Sequence, residues 1–412
     1  MRIELSVQDL AAPGMYEDIE NVCEKHKGQL WSVNRQIYEN PEPHYEEFRA
    51  HDNICSLLEG LGYKVVRHAY GLSTAFEVEY GSGGHLVCYN AEYDALPKED
   101  GGHHHACGHN LIATSSIAAF LILAELIRSQ NIEGRVRLLG TPAEESGGGK
   151  IDLLNAGAYR GVDACMMGHP GPLTPGNDGV SCPDTLAVTS TKISFRGKEA
   201  HAGATPWAGV NALDALVAAY TSISMLRQQL PLTQRVHGII LHGGERPNII
   251  PGMASMEFYA RADTCQSLQE LCVRLEGCFN GAALATGCTV DFEWDPMYKE
   301  LKKNQPLGDA LTKHMKAFGR SFITSVKDGA TGGSTDQGNV MYEVPGLHCG
   351  FGIGSDGDEV WPHTPDFAAA AGTEQAFQRA LDCAKGLAAT GFQVLTAAEF
   401  CDTIWRSHKH DV

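Results

Sequence analysis

The sequence predicts an α/β fold: a mixed, mostly parallel sheet with helices on both faces, interrupted by a smaller α+β domain. Three observations lead to this prediction. The chain has 412 residues, more than a single hydrophobic core usually serves. Strand, loop and helix patterns alternate over the first part of the chain, and a β-α-β-β-α-β order follows. We therefore expect one domain formed by residues 1–184 and 298–412, with a second domain, residues 185–297, inserted into it.

The chain is expected to begin with two helices and a pair of strands. Apolar residues recur at helical spacing in YEDIENVCEKHKGQLWSVNRQIYEN and YEEFRAHDNICSLLEGLG, and Gly60 and Gly62 mark the end of the second helix. The segments YKVVRHAY and TAFEVEY then alternate as strands do, with a turn at Gly71 between them.

Strands, loops and helices alternate in the next part of the chain. HLVCYN predicts a buried strand, and the helix LIATSSIAAFLILAELIRSQ follows with Asn110 as its expected cap. RVRLLG predicts the next strand, a helix starts from Lys150, and the strand ACMMG ends at His169. In mostly parallel sheets, ligands bind beyond the carboxyl ends of the strands. The polar loops at 92–109 and 144–145 fall at such ends, as does His169.

The inserted segment has the pattern of a ferredoxin-like split unit. Its elements in order are the strand LAVTSTKISFRG, the helix NALDALVAAYTSISMLRQQL, the strands RVHGIIL and ASMEFYARAD, the helix LQELCVRLEGCFNGAALA and the strand CTVDFEW. This order predicts a small sheet with both helices on one face. After Pro296 the chain returns to helices and short strands, including GLHCGFGI and a last helix through AFQRALDCAKGLAATG.

The composition is that of a globular protein with an acidic charge balance. The chain has 32 Lys and Arg against 50 Asp and Glu, a formal net charge of −18, and no basic stripe. Nucleic acid and anionic membranes are therefore poor partners. The 13 scattered cysteines lack a C-x-x-C pair, which favours thiols in a reducing compartment. Neither a signal peptide nor a membrane span is expected, so we predict a cytoplasmic protein.

Side chains of the kinds that bind metals collect at the predicted strand ends, two of them in the His-rich stretch GGHHHACGHN. They are Cys107, His109, Glu144, Glu145, His169 and His363. Thiolate, imidazole and carboxylate together suit zinc, or else manganese or cobalt. Two such ions would polarise a carbonyl and lower the pKa of a water, and one carboxylate of the Glu pair could act as general base. Taken singly, each residue has an ordinary structural explanation; the joint placement is what indicates a site.

Six motifs, in the same order, resemble the co-catalytic metallopeptidase family of aminoacylases and carboxypeptidase G. The likeness is closest to its amidohydrolase branch, with auxin-conjugate and aminobenzoyl-glutamate hydrolases, and within that branch to dipeptidase-type proteins. The motifs are AEYDALP…HACGHNL, GTPAEESGGGK, MMGHP, GKEAHAGATPWAGVNALDAL, GGERPNIIPG and WPHTPDF. The similarity extends over nearly the whole chain. It implies a zinc-peptidase-like catalytic domain with an inserted lid and dimerisation domain.

The resemblance implies roles for individual residues. The family's metal ligands are matched by Cys107, His109, Glu145, His169 and His363. This match implies one or two zinc ions per subunit, with manganese or cobalt as alternatives. Glu144 matches the general acid/base that activates water and then protonates the leaving amine. Asp94 matches a carboxylate that orients a metal ligand.

Other positions are associated with the substrate. In the family the inserted domain forms a homodimer, and His201 matches a histidine that stabilises the oxyanion in the partner's active site. Asn248 and Arg261 match lid positions associated with the substrate carboxylate. From their own sequence contexts, GGSTDQGN and GLHCG, Asp336 and His348 are also expected to contact substrate.

Not every histidine of the cluster is expected to bind metal. His105 fits a position where the family often has a histidine, and we do not assign it to the metal. His103 and His104 lie in the loop KEDGGHH, which is longer than in the relatives that the motifs resemble. This loop is either a solvated insertion or a border of the pocket that shapes the choice of substrate.

The expected reaction is hydrolysis of the amide bond in a small dipeptide or N-acyl amino acid. Water activated by the metals and deprotonated by Glu144 attacks the carbonyl, and the lid closes over the substrate. An alternative is a tailoring enzyme of specialised metabolism that hydrolyses or forms an amide with the same groups in a dry pocket. A non-catalytic metal-binding relative is a third interpretation, and the intact ligand set beside Glu144 argues against it.

Overall fold

A computed structural model describes residues 14–172, 176–325, 332–354 and 360–410. The strands among them are β1 (Val65–Arg67), β2 (Phe76–Ser82), β3 (Leu86–Ala91), β4 (Leu96–Pro97), β5 (His103–His104), β6 (Gly134–Gly140), β7 (Ala164–Pro172), β8 (Gly179–Val180), β9 (Ala187–Arg196), β10 (Ala200–His201), β11 (Arg235–His242), β12 (Ile249–Ile250), β13 (Met253–Ala262), β14 (Thr289–Trp294), β15 (Phe322–Ile323) and β16 (Gly346–Ile353). The helices are α1 (Met15–Glu39), α2 (Phe48–Gly60), α3 (His109–Gln130), α4 (Gly149–Asn155), α5 (Ala212–Leu226), α6 (Cys265–Thr286), α7 (Gln305–Ala317), α8 (Gln337–Glu343), α9 (Pro365–Ala371), α10 (Glu374–Thr396) and α11 (Ala398–His410).

The chain divides into two compact units. The first unit consists of Met1–Asp184, Leu301–Gly329 and Asp336–Val412. The inserted unit consists of Thr185–Glu300 and Ala330–Thr335. Each unit has its own buried apolar core, as independent domains do.

An eight-stranded sheet forms the centre of the first unit. Its strand order is β1-β2-β6-β3-β7-β16-β8-β15. The four central strands β6, β3, β7 and β16 are parallel neighbours, whereas β1, β2 and β8 each pair in an antiparallel sense. Every residue of β3 is buried, as expected for a parallel strand covered by helices on both faces. The predicted mixed, mostly parallel sheet is therefore confirmed.

Helix α3 packs against α1, α10 and β3 at the centre of the first unit. By length and composition alone it could cross a membrane, but 94% of its most apolar window is buried inside the protein. Burial on all sides explains why the helix is apolar on all sides. The expectation that Asn110 caps this helix is wrong. The helix begins at His109, after Gly108, and the Asn110 side chain instead donates a hydrogen bond to the Ala371 carbonyl, at 2.9 Å.

The helices at the two ends of the described chain cover the sheet. Helices α1 and α2 occur where the apolar spacing predicted them, and α10 extends beyond the predicted segment in both directions. Helix α11 follows α10 and was not predicted. It packs against α7 and α10.

The inserted unit is a four-stranded antiparallel sheet with two helices. The strand order is β11-β13-β9-β14, and α5 and α6 pack against each other and against the sheet. Leu216 from α5, Leu275 from α6 and Phe258 from β13 are fully buried in its core. This is the ferredoxin-like arrangement that the order of elements predicted.

Candidate metal and catalytic site

Polar side chains gather where the parallel strands of the first unit end. They are Glu92 and Asp94 after β3, Cys107 and His109 at the start of α3, Glu144 and Glu145 after β6, His169 in β7, and His363 before α9. Because β6, β3 and β7 are adjacent and parallel, their carboxyl ends meet at one edge of the sheet. The turn into α3 requires glycine: Gly108 has a φ of 79°, and a Cβ there would lie 2.6 Å from the Pro170 ring.

Asp94 holds His109 in a defined orientation. Its Oδ1 accepts a hydrogen bond from His109 Nδ1 at 2.8 Å, and its Oδ2 accepts one from the Glu145 backbone N–H at 3.0 Å. Burial opposes ionisation of Asp94, but His109 and the Glu145 amide outweigh it and keep the pKa of this carboxyl below its ordinary value. With its proton on Nδ1, His109 turns an unprotonated Nε2 toward the other polar groups, as metal-binding histidines do.

Donor atoms of three kinds converge around His109. Atoms of Cys107, His109 and His169 lie within 4.8 Å of one another, as do atoms of Cys107, Glu145 and His363. Cys107 Sγ is 3.4 Å from His169 Nε2, and His169 Nδ1 is 2.6 Å from the Pro170 carbonyl, which fixes its proton on Nδ1. Burial lowers the pKa of His169 to about 4, so its Nε2 is a neutral donor. Two overlapping triplets that share Cys107 are the arrangement that a pair of ions requires.

The cluster contains buried atoms that a cation would satisfy. His109 Nε2 and Glu145 Oε1 are buried and have no hydrogen-bond partner among the described residues. A buried polar atom without a partner costs about 1–3 kcal/mol. Burial together with neighbouring carboxylates raises the pKa of both Cys107 and Glu145. The surplus of anionic groups, the unsatisfied donor atoms and the S, N and O chemistry fit zinc or a neighbouring divalent metal.

His363 completes the second triplet from a strained backbone position. Its Nε2 lies 3.8 Å from Glu145 Oε2, although its side chain is 58% exposed. The residue has a φ of 67°, in the left-handed region that non-glycine residues rarely adopt, and its backbone N–H donates to the Ala106 carbonyl at 2.8 Å. Strain of this kind persists where the surroundings enforce it, often at functional sites.

Glu144 is a buried carboxyl beside the triplets. Its Oε2 lies 4.0 Å from His109 Nε2. Burial, Glu92 and Glu145 raise the pKa of Glu144 well above its ordinary value. A carboxyl with a raised pKa binds a proton near neutral pH and releases it again, which is what a general base and acid must do.

A buried carboxylate supports the loop that carries the Glu pair. Ala143 has a φ of 58°, and its N–H donates to Glu47 Oε1 at 2.9 Å. The Thr74 hydroxyl donates to Glu47 Oε2 at 2.6 Å, and burial raises the pKa of Glu47 to about 7. Sequence analysis missed Glu47, since it lies almost a hundred residues before the loop, within a helical pattern.

A buried ion network lies behind the site. Lys150 is fully buried; its Nζ lies 2.6 Å from Glu92 Oε1 and also pairs with Asp336 Oδ1. The Lys150 N–H donates to Asp336 Oδ2 at 2.9 Å. The sequence led us to expect that Asp336 contacts substrate; in the structure it is fully buried and paired through both oxygens with Lys150. Sequence analysis missed Glu92, although an acidic residue directly after an apolar strand could have signalled it, and gave Lys150 no role.

His348 lies beside the ligand cluster. Its ring centroid is 5.5 Å from that of His169, and neither of its ring nitrogens has a hydrogen-bond partner among the described residues. Burial lowers the pKa of His348 to about 3, so the ring is neutral. A neutral imidazole with both nitrogens unsatisfied could donate to or accept from a small ligand at this place.

The three other histidines of the cluster have different neighbours. His105 is buried, and its Nε2 lies 3.1 Å from the Ile37 carbonyl, an arrangement that ties the loop to α1. His103 and His104 form β5, which pairs with Leu96 and Pro97 in a short hairpin. Both side chains are half-buried.

The remaining candidates belong to the inserted unit. His201 in β10 pairs with β12, and the Asn248 carbonyl accepts a hydrogen bond from the Ala202 N–H at 3.1 Å, so His201 and Asn248 are neighbours. His201 is exposed, and its Nδ1 accepts from the N–H groups of Gly203 and Ala204. This leaves Nε2 as the atom that can donate. Arg261 Nη1 donates to Ser334 Oγ at 2.9 Å.

Comparisons with known proteins agree with this chemistry. A model of the family described as Peptidase family M20/M25/M40 matches residues 88–389, a range that contains every candidate ligand. The chain is 42% identical to an Xaa-Arg dipeptidase of Mus musculus over 395 residues, which cover 92% of this chain and 88% of that protein. It is 30% identical to one component of the p-aminobenzoyl-glutamate hydrolase of Escherichia coli strain K12 over 322 residues, which cover 74% and 66%.

A solved structure shares the fold. It is that of a dinuclear metal-binding peptidase of the M20 family from Bacillus subtilis, which superposes with a TM-score of 0.61. The alignment covers 87% of this chain and 98% of that one, at 20% sequence identity. At this level of identity the likeness concerns the fold.

Proposed function

Since the chain belongs to peptidase family M20/M25/M40, we propose that its first unit holds two divalent ions, zinc above manganese or cobalt, and that it cleaves dipeptides with a basic C-terminal residue. The chain is a metal-dependent amidohydrolase that acts on the amide bond of a small dipeptide or N-acyl amino acid. One observation carries the proposal: two ligand triplets share Cys107, and the buried carboxyl of Glu144 lies beside them.

The ions would be held by the five residues that match the ligand pattern. They are Cys107, His109, Glu145, His169 and His363. When bound, the ions polarise the amide carbonyl and lower the pKa of water. Asp94 keeps His109 in the tautomer that presents Nε2 and, through the Glu145 amide, holds the loop of the Glu pair in place.

Glu144 carries the proton in the proposed reaction. Its carboxylate takes a proton from the attacking water and returns it to the nitrogen of the leaving amine. The raised pKa of Glu144 keeps that proton bound until the amine can accept it. His348, neutral and without hydrogen-bond partners among the described side chains, is suited to bind the substrate next to His169.

The preference for a basic residue has two supports. The name of the mouse relative specifies arginine at the second position of its dipeptide. The formal net charge of −18 favours the approach of a cationic substrate over an anionic one.

We also propose a cytoplasmic homodimer joined through the inserted unit. Strand β11 is an edge of its sheet and exposes Ile239, Ile240 and Leu241, at 62%, 49% and 41%. Natural edge strands are usually protected from pairing, so an apolar edge of this kind indicates a partner. In such a dimer His201 would reach the substrate of the other subunit. All 13 cysteines lie among the described residues and none forms a disulfide, which supports a reducing compartment.

A substrate panel tests the proposal. Protein stripped of metal and reloaded with zinc or manganese would be incubated with dipeptides that end in Arg, Lys, Glu or Leu, and with N-acetyl amino acids. We expect metal-dependent release of Arg and Lys in preference to Glu and Leu. Cleavage of neutral or acidic dipeptides in preference would overturn the basic specificity, and no cleavage of any member would overturn the proposed function as a whole.

A further inference from the structure

A second cluster of metal-type side chains lies at the opposite edge of the sheet from Glu144. His85 directly precedes β3, and Asp163 directly precedes β7. These strands are parallel neighbours, with Val87 opposite Ala164, so their amino ends lie side by side. Cys401 is contributed by the first turn of α11.

The three donor atoms have the separations that a tetrahedral metal ion imposes on its ligands. His85 Nδ1 lies 3.3 Å from Asp163 Oδ2 and 3.4 Å from Cys401 Sγ, and all three atoms lie within 4.8 Å of one another. Zinc bonds of about 2.0–2.1 Å to N and O and about 2.3 Å to S, at tetrahedral angles, place N and O about 3.4 Å apart and S and N about 3.6 Å apart. The observed separations agree with these values to within a few tenths of an ångström.

The arrangement differs from that of a nucleophilic cysteine. A Cys-His-Asp triad requires thiol and carboxylate on opposite nitrogens of the imidazole. Here both face Nδ1 of His85, which can carry one proton at most, so one common point between the three atoms is left for a cation.

Neighbouring groups orient the carboxylate as they do around bound metals. Asp163 Oδ1 accepts from Trp405 Nε1 at 3.2 Å, and Oδ2 accepts from the Leu86 N–H at 2.9 Å. Cys401 is buried, while the His85 side chain is 35% exposed and leaves a way in for an ion and a water ligand. Trp405 also belongs to α11, so this helix supplies both a ligand and a group that fixes another ligand.

We propose that His85, Asp163 and Cys401 form a second divalent-metal site, selective for zinc and its neighbours, that ties α11 to the amino ends of β3 and β7. The donor set of imidazole, carboxylate and thiolate suits these ions and not magnesium or calcium. The site is independent of the proposed catalytic ions. Since it binds only the folded arrangement, the ion stabilises the docking of α11 by mass action.

Metal counting on the full-length protein tests the proposal. Metal-stripped protein would be titrated with zinc, and the bound ions counted by native mass spectrometry for wild type, Cys401→Ala and the control Cys23→Ala. Cys23 is also a buried helical cysteine, but it belongs to none of the donor clusters found among the described residues. We expect Cys401→Ala to bind one ion fewer per chain than wild type, Cys23→Ala to bind as many, and both to keep peptide hydrolysis.

A second readout follows α11 itself. In wild type, zinc should slow hydrogen exchange in peptides from α11, and in Cys401→Ala it should not. His85→Gln, at a partly exposed position, serves the same purpose if the cysteine variant does not fold. Equal stoichiometry in wild type and both variants, or α11 exchange that does not respond to zinc, would overturn the proposal.

Discussion

Replacing Lys150 with methionine removes the only cation that the structure shows in direct contact with both Glu92 and Asp336 among the described residues. All three side chains are fully buried. Burial alone would lower the pKa of Lys150, but Asp336 and Glu92 outweigh it and raise that pKa, which shows how strongly the carboxylates hold the ammonium. In Lys150→Met, two carboxylates remain in the core without a counter-ion.

The expected loss of stability follows from this geometry. Removing one partner of a buried ion pair typically costs about 3–5 kcal/mol, because the other charge stays buried and unpaired. An exposed pair is worth about 0–1 kcal/mol. Lys25 pairs with Glu125 at 2.7 Å but is 56% exposed, so Lys25→Met is a matched control for the loss of an ammonium.

Urea unfolding of the metal-stripped proteins measures the effect. Hydrogen exchange in peptides from β3 and β6 reports on the first unit separately from the inserted unit. We expect Lys150→Met to lose about 3–5 kcal/mol at pH 7.5 and the control to lose less than about 1 kcal/mol. Burial already raises the pKa of Asp336 to about 6 with Lys150 present, so protonation at pH 5 should recover part of the loss. A loss equal to that of the control, or one unchanged at pH 5, would refute the reasoning.

Three further predictions concern a titrating core histidine, the dimer and a ligand-orienting carboxylate. Burial lowers the pKa of His314 to about 4, with its ring held between Tyr16 and Gln393; the unfolded state therefore binds more protons between pH 4 and 6.5, and stability should rise by up to about 3 kcal/mol over that range. Urea titrations should show a shallower slope in His314→Gln, and an unchanged slope would exclude this histidine. Mixing His201→Ala with Glu144→Gln subunits should restore hydrolysis in the mixed dimers; no recovery would contradict a role for His201 in the partner's site. Asp94→Asn should weaken zinc binding by about 10–100-fold in competition with a chelator, while Asp52→Asn, at an exposed carboxylate beside a histidine, should not.

The sequence predicted the parts of the fold that follow from local pattern. The ferredoxin-like order of strands and helices in the inserted unit is an example, because each element carries its own period of apolar residues. Helix α11 was missed because its apolar face continues directly from α10 after a single residue, Ala397. The two-residue strands β8 and β15 are too short to carry a period at all.

The candidate site was predictable where its residues follow strands or begin a helix. Cys107 and His109, separated by one glycine, and the adjacent pair Glu144 and Glu145 could be identified from the chain itself. The groups behind them could not, because they come from distant parts of the chain. Lys150 meets Asp336 across 186 positions. Only the folded sheet brings such residues together.

The central claim is that Glu144 carries the proton while five other residues hold the metal. Glu144→Gln keeps the size of the side chain and removes its ability to accept a proton. Zinc content and dipeptide hydrolysis, measured on the same preparation, test the claim most directly. We predict the same number of bound zinc ions as in wild type and a fall in kcat of about 10²–10⁴-fold. Hydrolysis within a few fold of wild type, or loss of the metal along with activity, would contradict it.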